Sequence, residues 1–241
     1  MIRKVMMMTA ISGVFLSSVI AGDLSGRVNF QGKGPKAKKL KMDADPVCGA
    51  AHTEPVYRQS FIMNEEGYLK NVMVYLKDVK YDGPVPTAPA ILDQKGCVYE
   101  PHVQGLMKGQ DLLIKNSDAT LHNIHGLPSV NSEFNFAMPK VVKEKAIKIE
   151  KPEHAIYIKC DVHPWMKSYV SVFDHPYFAV TDENGNYTIK NIPAGEYEVI
   201  AWQEKFKDKK TKEWKTLSAT VTIGDGETKQ DFTFIKKPKK K

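Results

Sequence analysis

Apolar and polar residues alternate in short runs along most of this chain. Asp23-Leu-Ser-Gly-Arg-Val-Asn-Phe30 sets Leu24, Gly26, Val28 and Phe30 on one face. A period of two predicts a half-buried strand. Residues 68–77, 96–103, 111–115, 121–124, 146–150, 156–160 and 169–173 read the same way. After His175-Pro176 a second set begins. Strands 178–181 and 186–189 flank Asp182-Glu-Asn-Gly185, and an Asn-Gly pair between β-rich runs is a hairpin signal. Strands 196–202, 217–223 and 230–235 follow. No stretch sustains a helical period. Many short strands punctuated by turns predict an all-β protein built of antiparallel sandwiches.

The breaks organise the chain. Lys33 to Lys41 is basic, contains Gly34 and Pro35, and reads as a loop. Residues 43–55 are irregular and hold Cys48 and His52. Gly83, Pro84, Pro86 and Pro89 make 81–89 an extended connection. Asn116-Ser-Asp118 is a turn. The expected divisions are a β extension over 22–95 packed on the core of a first β unit over 96–175, then a smaller sandwich over 176–235. A basic tail occupies 236–241.

The N-terminus changes the compartment. Arg3 and Lys4 precede an apolar run from Val5 to Ile20, with small residues near Ala21. This pattern predicts a signal peptide over 1–21 and a periplasmic or secreted product. The run is shorter than the roughly 20 residues of a spanning helix, so no membrane span is expected. The net charge is +7. Arg3 and Lys4 leave with the expected signal peptide and Lys236 to Lys241 contributes five lysines, which leaves a balanced body and gives no reason to expect nucleic acid. Three cysteines in an oxidising compartment leave one over after pairing. Cys48 and Cys97 are the candidate disulfide if Cys160 has another use.

That use is suggested by Cys160-Asp-Val-His163-Pro-Trp-Met166. Pro164 interrupts the strand pattern, so thiol, imidazole and thioether share a tight loop. Soft donors of this kind suit copper, and a methionine ligand points away from zinc, calcium and magnesium. A second imidazole is needed, and both His122 and His125 qualify by type. Zinc held by Cys160, His163, His122 and His125 is the rival set. His102 and His125 read as ordinary hydrogen-bonding imidazoles, and His52, His154 and His175 have no partner spacing. Trp165 reads as packing against the loop.

His122-Asn123 after a polar turn, followed by the Cys160–Met166 loop entering Lys-Ser-Tyr-Val-Ser-Val, resembles the cupredoxins. The short loop is most similar to that of amicyanin. The resemblance covers roughly residues 97 to 173. It implies a Greek-key sandwich and one type 1 copper, with His122, Cys160, His163 and Met166 as ligands and Asn123 bracing the loop. It also implies one-electron transfer rather than catalysis, with a redox partner such as a cytochrome or dehydrogenase. The edge of the His163 ring would be the electron exit. The stretch 126–142, long for a small cupredoxin, would cover the site. Thr181-Asp-Glu-Asn-Gly-Asn-Tyr-Thr-Ile and Ile192-Pro-Ala-Gly-Glu-Tyr-Glu-Val resemble the carboxypeptidase regulatory-like, or transthyretin-like, sandwich. Copper delivery, a copper enzyme with an open position, and a structural or carbohydrate-binding surface protein are the alternatives.

Overall fold

The computed structural model describes residues 21–208 and 210–236. Residues 1–20 of the expected signal peptide and all but the first lysine of the basic tail lie outside the described residues, while Ala21 opens the first strand. No described helix is long and apolar enough to cross a membrane. The described elements are strands apart from one five-residue helix, Pro46–Ala50.

Two sandwiches account for the strands apart from a small ribbon, Ile62–Met63 paired with Leu69–Lys70. In the first, a five-stranded sheet runs Phe134–Met138, His122–Leu127, Glu153–Lys159, Lys167–Phe173, Val103–Met107. It faces a four-stranded sheet running Glu144–Lys148, Asp111–Asn116, Ala90–Lys95, Val98–Glu100. Their alternating apolar residues form one core, including Leu92, Leu112, Ile114, Ile124, Ile156 and Val170. The pairing is not wholly antiparallel as expected. Lys167–Phe173 runs parallel to Val103–Met107, and Ala90–Lys95 parallel to Asp111–Asn116.

The second sandwich corrects the expected divisions. Ala21–Gln31 does not pack on the first core. It pairs antiparallel with Asn186–Pro193 and parallel with Glu227–Lys229 and Phe232–Ile235. Met73–Leu76 is likewise in this unit, between Phe178–Val180 and Gly195–Trp202, with Leu217–Ile223 completing the sheet. Leu24, Val28, Leu69, Val74, Ile189, Val199 and Phe234 share its core. Alternation shows that a segment is a strand and which face it buries, but does not name its neighbour.

Between Gln31 and Leu69 the chain leaves this unit and crosses to the first sandwich. Leu40, Met42 and Cys48 are buried in the first core. The Cys48–Cys97 disulfide fixes the crossing, with an S–S length of 2.02 Å. Cys160 is free and buried. The two sandwiches also meet through an aromatic seam. Trp202 is fully buried, its ring centroid 5.2 Å from Tyr169 and 5.0 Å from Trp214. Lys167 reaches across to Glu204, with Nζ 2.9 Å from each carboxylate oxygen.

Candidate metal centre

Four stretches build the site. The first is the loop after Glu153–Lys159. Met166 N–H donates to His163 O at 2.9 Å, closing a tight turn, and His163 N–H points at Cys160 Sγ from 3.3 Å. The second is the start of His122–Leu127. Asn123 ties it to the loop by accepting Asp161 N–H on Oδ1 at 2.6 Å, while its Nδ2 donates to Asn135 at 2.8 Å. Asn123 therefore holds the two ends of the site together.

The result is a buried cluster. His122, Cys160 and His163 each present one ligand atom, and these atoms lie within 4.8 Å of one another. The Nδ1 atoms of His122 and His163 are 2.9 Å apart, and Cys160 Sγ is 3.8 Å from His163 Nδ1. Ligands each roughly 2 Å from a common ion stand about 3–4 Å apart, so the donor set fits a metal. Exposures are 0 % for His122, 2 % for Cys160, 2 % for His163 and 1 % for Met166. Met166 is in the same buried cluster as Cys160.

The third and fourth stretches supply carboxylates that the sequence reading missed. Asp118 receives three donors. Gly96 N–H donates to Oδ1 at 2.7 Å, Cys97 N–H to Oδ2 at 2.8 Å, and His122 Nε2–H to Oδ2 at 2.8 Å. Gly96 and Cys97 form a hairpin turn with φ of 61° and 56°. Glycine tolerates that region; at Cys97 the carboxylate and the disulfide hold the backbone there.

Asp45 caps the helix Pro46–Ala50. Its Oδ1 accepts Val47 N–H at 2.8 Å and Cys48 N–H at 3.2 Å. Its Oδ2 accepts from Thr120 Oγ1 at 2.9 Å and from His163 Nε2 at 3.0 Å. An Asp-Pro pair at N-cap and N1 is a legible helix start. What it would touch across the fold is not.

A carboxylate only accepts, so each Nε2 carries the proton and each Nδ1 faces inward. Burial lowers the basicity of His122, but the hydrogen bonds to Asp118 and Cys160 outweigh it and raise its pKa to about 9. Burial, with help from the charge on His122, lowers the pKa of His163 even though Asp45 opposes this. Of the two rings, which meet at a 2.9 Å Nδ1–Nδ1 contact, His122 is therefore the one that holds a proton more tightly. Burial raises the Cys160 thiol, but the His122 contact and the N–H groups of Asn123, His163 and Val162 bring it below its ordinary value. Burial acts against Asp45 as well, and its bonds to His163, Thr120, Cys48 and Val47 still bring it down to about 2.

The remaining histidines are elsewhere. His125 points outward, with Nδ1 2.8 Å from Asp161 and Nε2 2.7 Å from Glu133. His102 lies against Lys167 O at 3.1 Å and Glu204 at 3.4 Å. His52 donates to Gly96 O at 2.6 Å. His154 lies 3.0 Å from Ser171 Oγ, and His175 accepts Tyr177 N–H at 3.1 Å.

Two expectations are corrected. The His163 ring edge is not exposed, because Asp45 and Cys48 cover it, with Cys48 Sγ 3.7 Å from Nε2. The stretch 126–142 does not act as the cover. Its strand Phe134–Met138 extends the sheet, with Met138 opposite His122, and the Phe134 ring occupies the space a side chain at Gly126 would need. Trp165 does pack against the loop, its ring centroid 5.0 Å from that of His163 and its Nε1–H donating to Cys97 O at 3.0 Å.

The sequence model of polysaccharide lyase family 4, domain II, matches residues 158–231. That match begins just before Cys160 and takes in much of the second sandwich; it replaces the carboxypeptidase regulatory-like likeness expected there. No curated protein matches. Among solved structures, the chain is similar to a Cu-containing nitrite reductase from Thermus scotoductus SA-01, at 20 % identity and a TM-score of 0.32. That likeness covers 40 % of this chain and a quarter (25 %) of the reductase chain. A methionine-to-alanine variant of amicyanin in its Cu(I) form is 18 % identical, covering 41 % of this chain and 97 % of that one at a TM-score of 0.32. A purple cupredoxin from Nitrosopumilus maritimus is 19 % identical, covering 34 % and 98 % at 0.30.

Proposed function

We propose that this chain is an exported type 1 copper protein that carries single electrons. The observation that supports this most strongly is the convergence of two imidazole Nδ1 atoms and one cysteine sulfur in a buried pocket. Two nitrogens and a thiolate, with a weak thioether nearby, are the donors of blue-copper electron-transfer sites. His122, Cys160 and His163 would hold the ion and Met166 would be the axial donor. Copper bound there supplies the one-electron couple.

The protein's own part is to fix these groups and keep water away. Asp118 and Asp45 set the tautomer and angle of the two rings. Asn123 locks the Cys160 loop to the His122 strand. Loading with copper has to displace the proton held between His122 and its neighbours Cys160 and His163, so uptake is coupled to proton release. The test is the visible and EPR spectrum of the copper-loaded chain. An intense thiolate-to-copper band that disappears in Cys160→Ser supports the reading; a colourless Cu(II) form, or an unchanged spectrum in the variant, overturns it.

A second reading has one observation behind it, the match to a domain of a polysaccharide lyase family over residues 158–231. In it the second sandwich is a carbohydrate-related, non-catalytic module, and the electron carrier is presented at a glycan-bearing surface. Glycan-array binding by the copper-free chain tests that reading independently of the metal.

A further inference from the structure

The sealed His163 ring raises the question of where an electron crosses the surface. Trp165 is the large aromatic residue beside it, tilted at 44° with its centroid 5.0 Å away and half-buried rather than covered. Its indole N–H is held by Cys97 O. Trp165 shares a surface cleft with Tyr57, Arg58, Val98 and Lys167, and Tyr57 is 49 % exposed.

Arg58 also lines the neighbouring cleft, together with Lys36, Lys38 and Lys205. All four cations are exposed, and among the described residues none of them forms an ion pair. The nearby carboxylate, Glu204, is buried and already engaged by Lys167 and His102. Burial and the neighbouring charges of Lys167, Arg58 and Lys38 hold Lys205 below its ordinary pKa despite Glu204. The patch has a firm mount. Lys39 bridges to Tyr57, and Arg58 N–H donates to Lys38 O at 2.9 Å. The basic loop at 33–41 thus becomes a flank of the metal site.

From this placement we infer that an acidic one-electron carrier protein docks on Lys36, Lys38, Arg58 and Lys205 and exchanges its electron with the metal centre through Trp165. The inference rests on the copper reading above. In the oxidising direction the copper(I) centre loses one electron and the acceptor gains it; no bond is made and no proton moves. Opposite charge draws such a carrier to this face and raises the encounter rate.

The copper-loaded full chain tests this with two small one-electron oxidants of opposite charge, hexacyanoferrate(III) and tris(phenanthroline)cobalt(III), in stopped flow. At low ionic strength the triple variant Lys38→Glu, Arg58→Glu, Lys205→Glu is expected to react about tenfold more slowly with the anion and faster with the cation. The difference should shrink as salt is added. Trp165→Leu should slow both oxidants with the visible band and potential unchanged, and Trp165→Phe should restore most of the rate. Wild-type rates for both oxidants in the triple variant overturn the docking face, and wild-type rates in Trp165→Leu overturn the route. Should Trp165→Leu lose its copper, the charge-reversed chain decides the docking face alone, and Trp165→Phe at a rate far below wild type overturns the route. A wild-type chain with no thiolate-to-copper band refutes the copper reading instead, and is distinguished from these outcomes by its spectrum.

Discussion

Asp45 Oδ2 lies 3.0 Å from Nε2 of His163, a contact made across 118 positions of the chain. The same oxygen holds Thr120, and the other oxygen caps the helix that carries Cys48. One carboxylate thus fixes a candidate ligand, closes the pocket above it and orders the covering segment. Asp118 repeats the arrangement on His122. Negative charge beside both rings favours the more positive state of a bound metal.

Asp45→Asn keeps an acceptor for His163 and removes the charge. The blue band should persist while the reduction potential rises by on the order of 60 mV, a tenfold shift toward the reduced ion in a one-electron couple. Asp118→Asn should act in the same direction. Voltammetry of the copper-loaded variants measures both, and an unchanged or lowered potential would count against the electrostatic argument.

Ligand substitutions separate the histidines. His122→Gly should open a position that added imidazole fills, visible as a spectrum restored on titration. His125→Ala should leave the spectrum unchanged, because that ring faces Asp161 and Glu133 at the surface. Met166→Leu should keep the colour and raise the potential, since loss of a weak axial donor favours Cu(I).

The disulfide closes a loop of 49 residues. Its removal in the paired Cys48→Ala, Cys97→Ala variant should cost about 4 kcal/mol of stability. It should also loosen the cover of His163. Denaturant midpoints give the first effect. The rate at which a chelator strips copper gives the second, and it should rise.

Glu204 gives a pH signature in the link between the sandwiches. Burial raises its pKa, but His102 and Lys167 bring it below its ordinary value. A depressed folded pKa means that the contribution is complete above the unfolded value, near 4.5, and is lost as pH falls through the folded value. Glu204→Gln should therefore destabilise the protein by about 2 kcal/mol at neutral pH, with Lys167 partly exposed and so partly screened. That loss should shrink in acid. Unfolding curves at neutral pH and below pH 4 test the sign.

Much of the candidate site was legible because its donor groups are close in sequence. Cys160, His163 and Met166 sit within seven positions, and the proline between them dictates a loop. His122 could be preferred to His125 through the asparagine beside it and through Leu121 and Ile124 flanking it, read as strand residues, and Asn123 does bond the Cys160 loop. The cysteine pairing was reachable by counting. Asp45 and Asp118 were not, because their role depends on which irregular segment crosses the pocket. Their local signatures, a helix cap and a turn, explain each residue without reference to the site. Ala21–Gln31 shows the same limit at the level of the fold: its alternation is clear, but its partners lie more than 150 positions away.

Leu76 N–H donates to Tyr177 O at 3.1 Å, so the longer passage of the chain through the first sandwich, after the short excursion that carries Cys48, begins and ends at adjacent points of the second. Apart from the segment that carries Cys48, the sandwich with the candidate site is an insertion in a host domain. Its parts are all present once residue 176 has been made, whereas the host needs Phe232–Ile235 to complete the sheet around Ala21–Gln31. In vectorial folding, units assemble in the order in which their parts emerge. The pocket therefore matures before the scaffold that frames it, and the guest domain is the template on which its host closes.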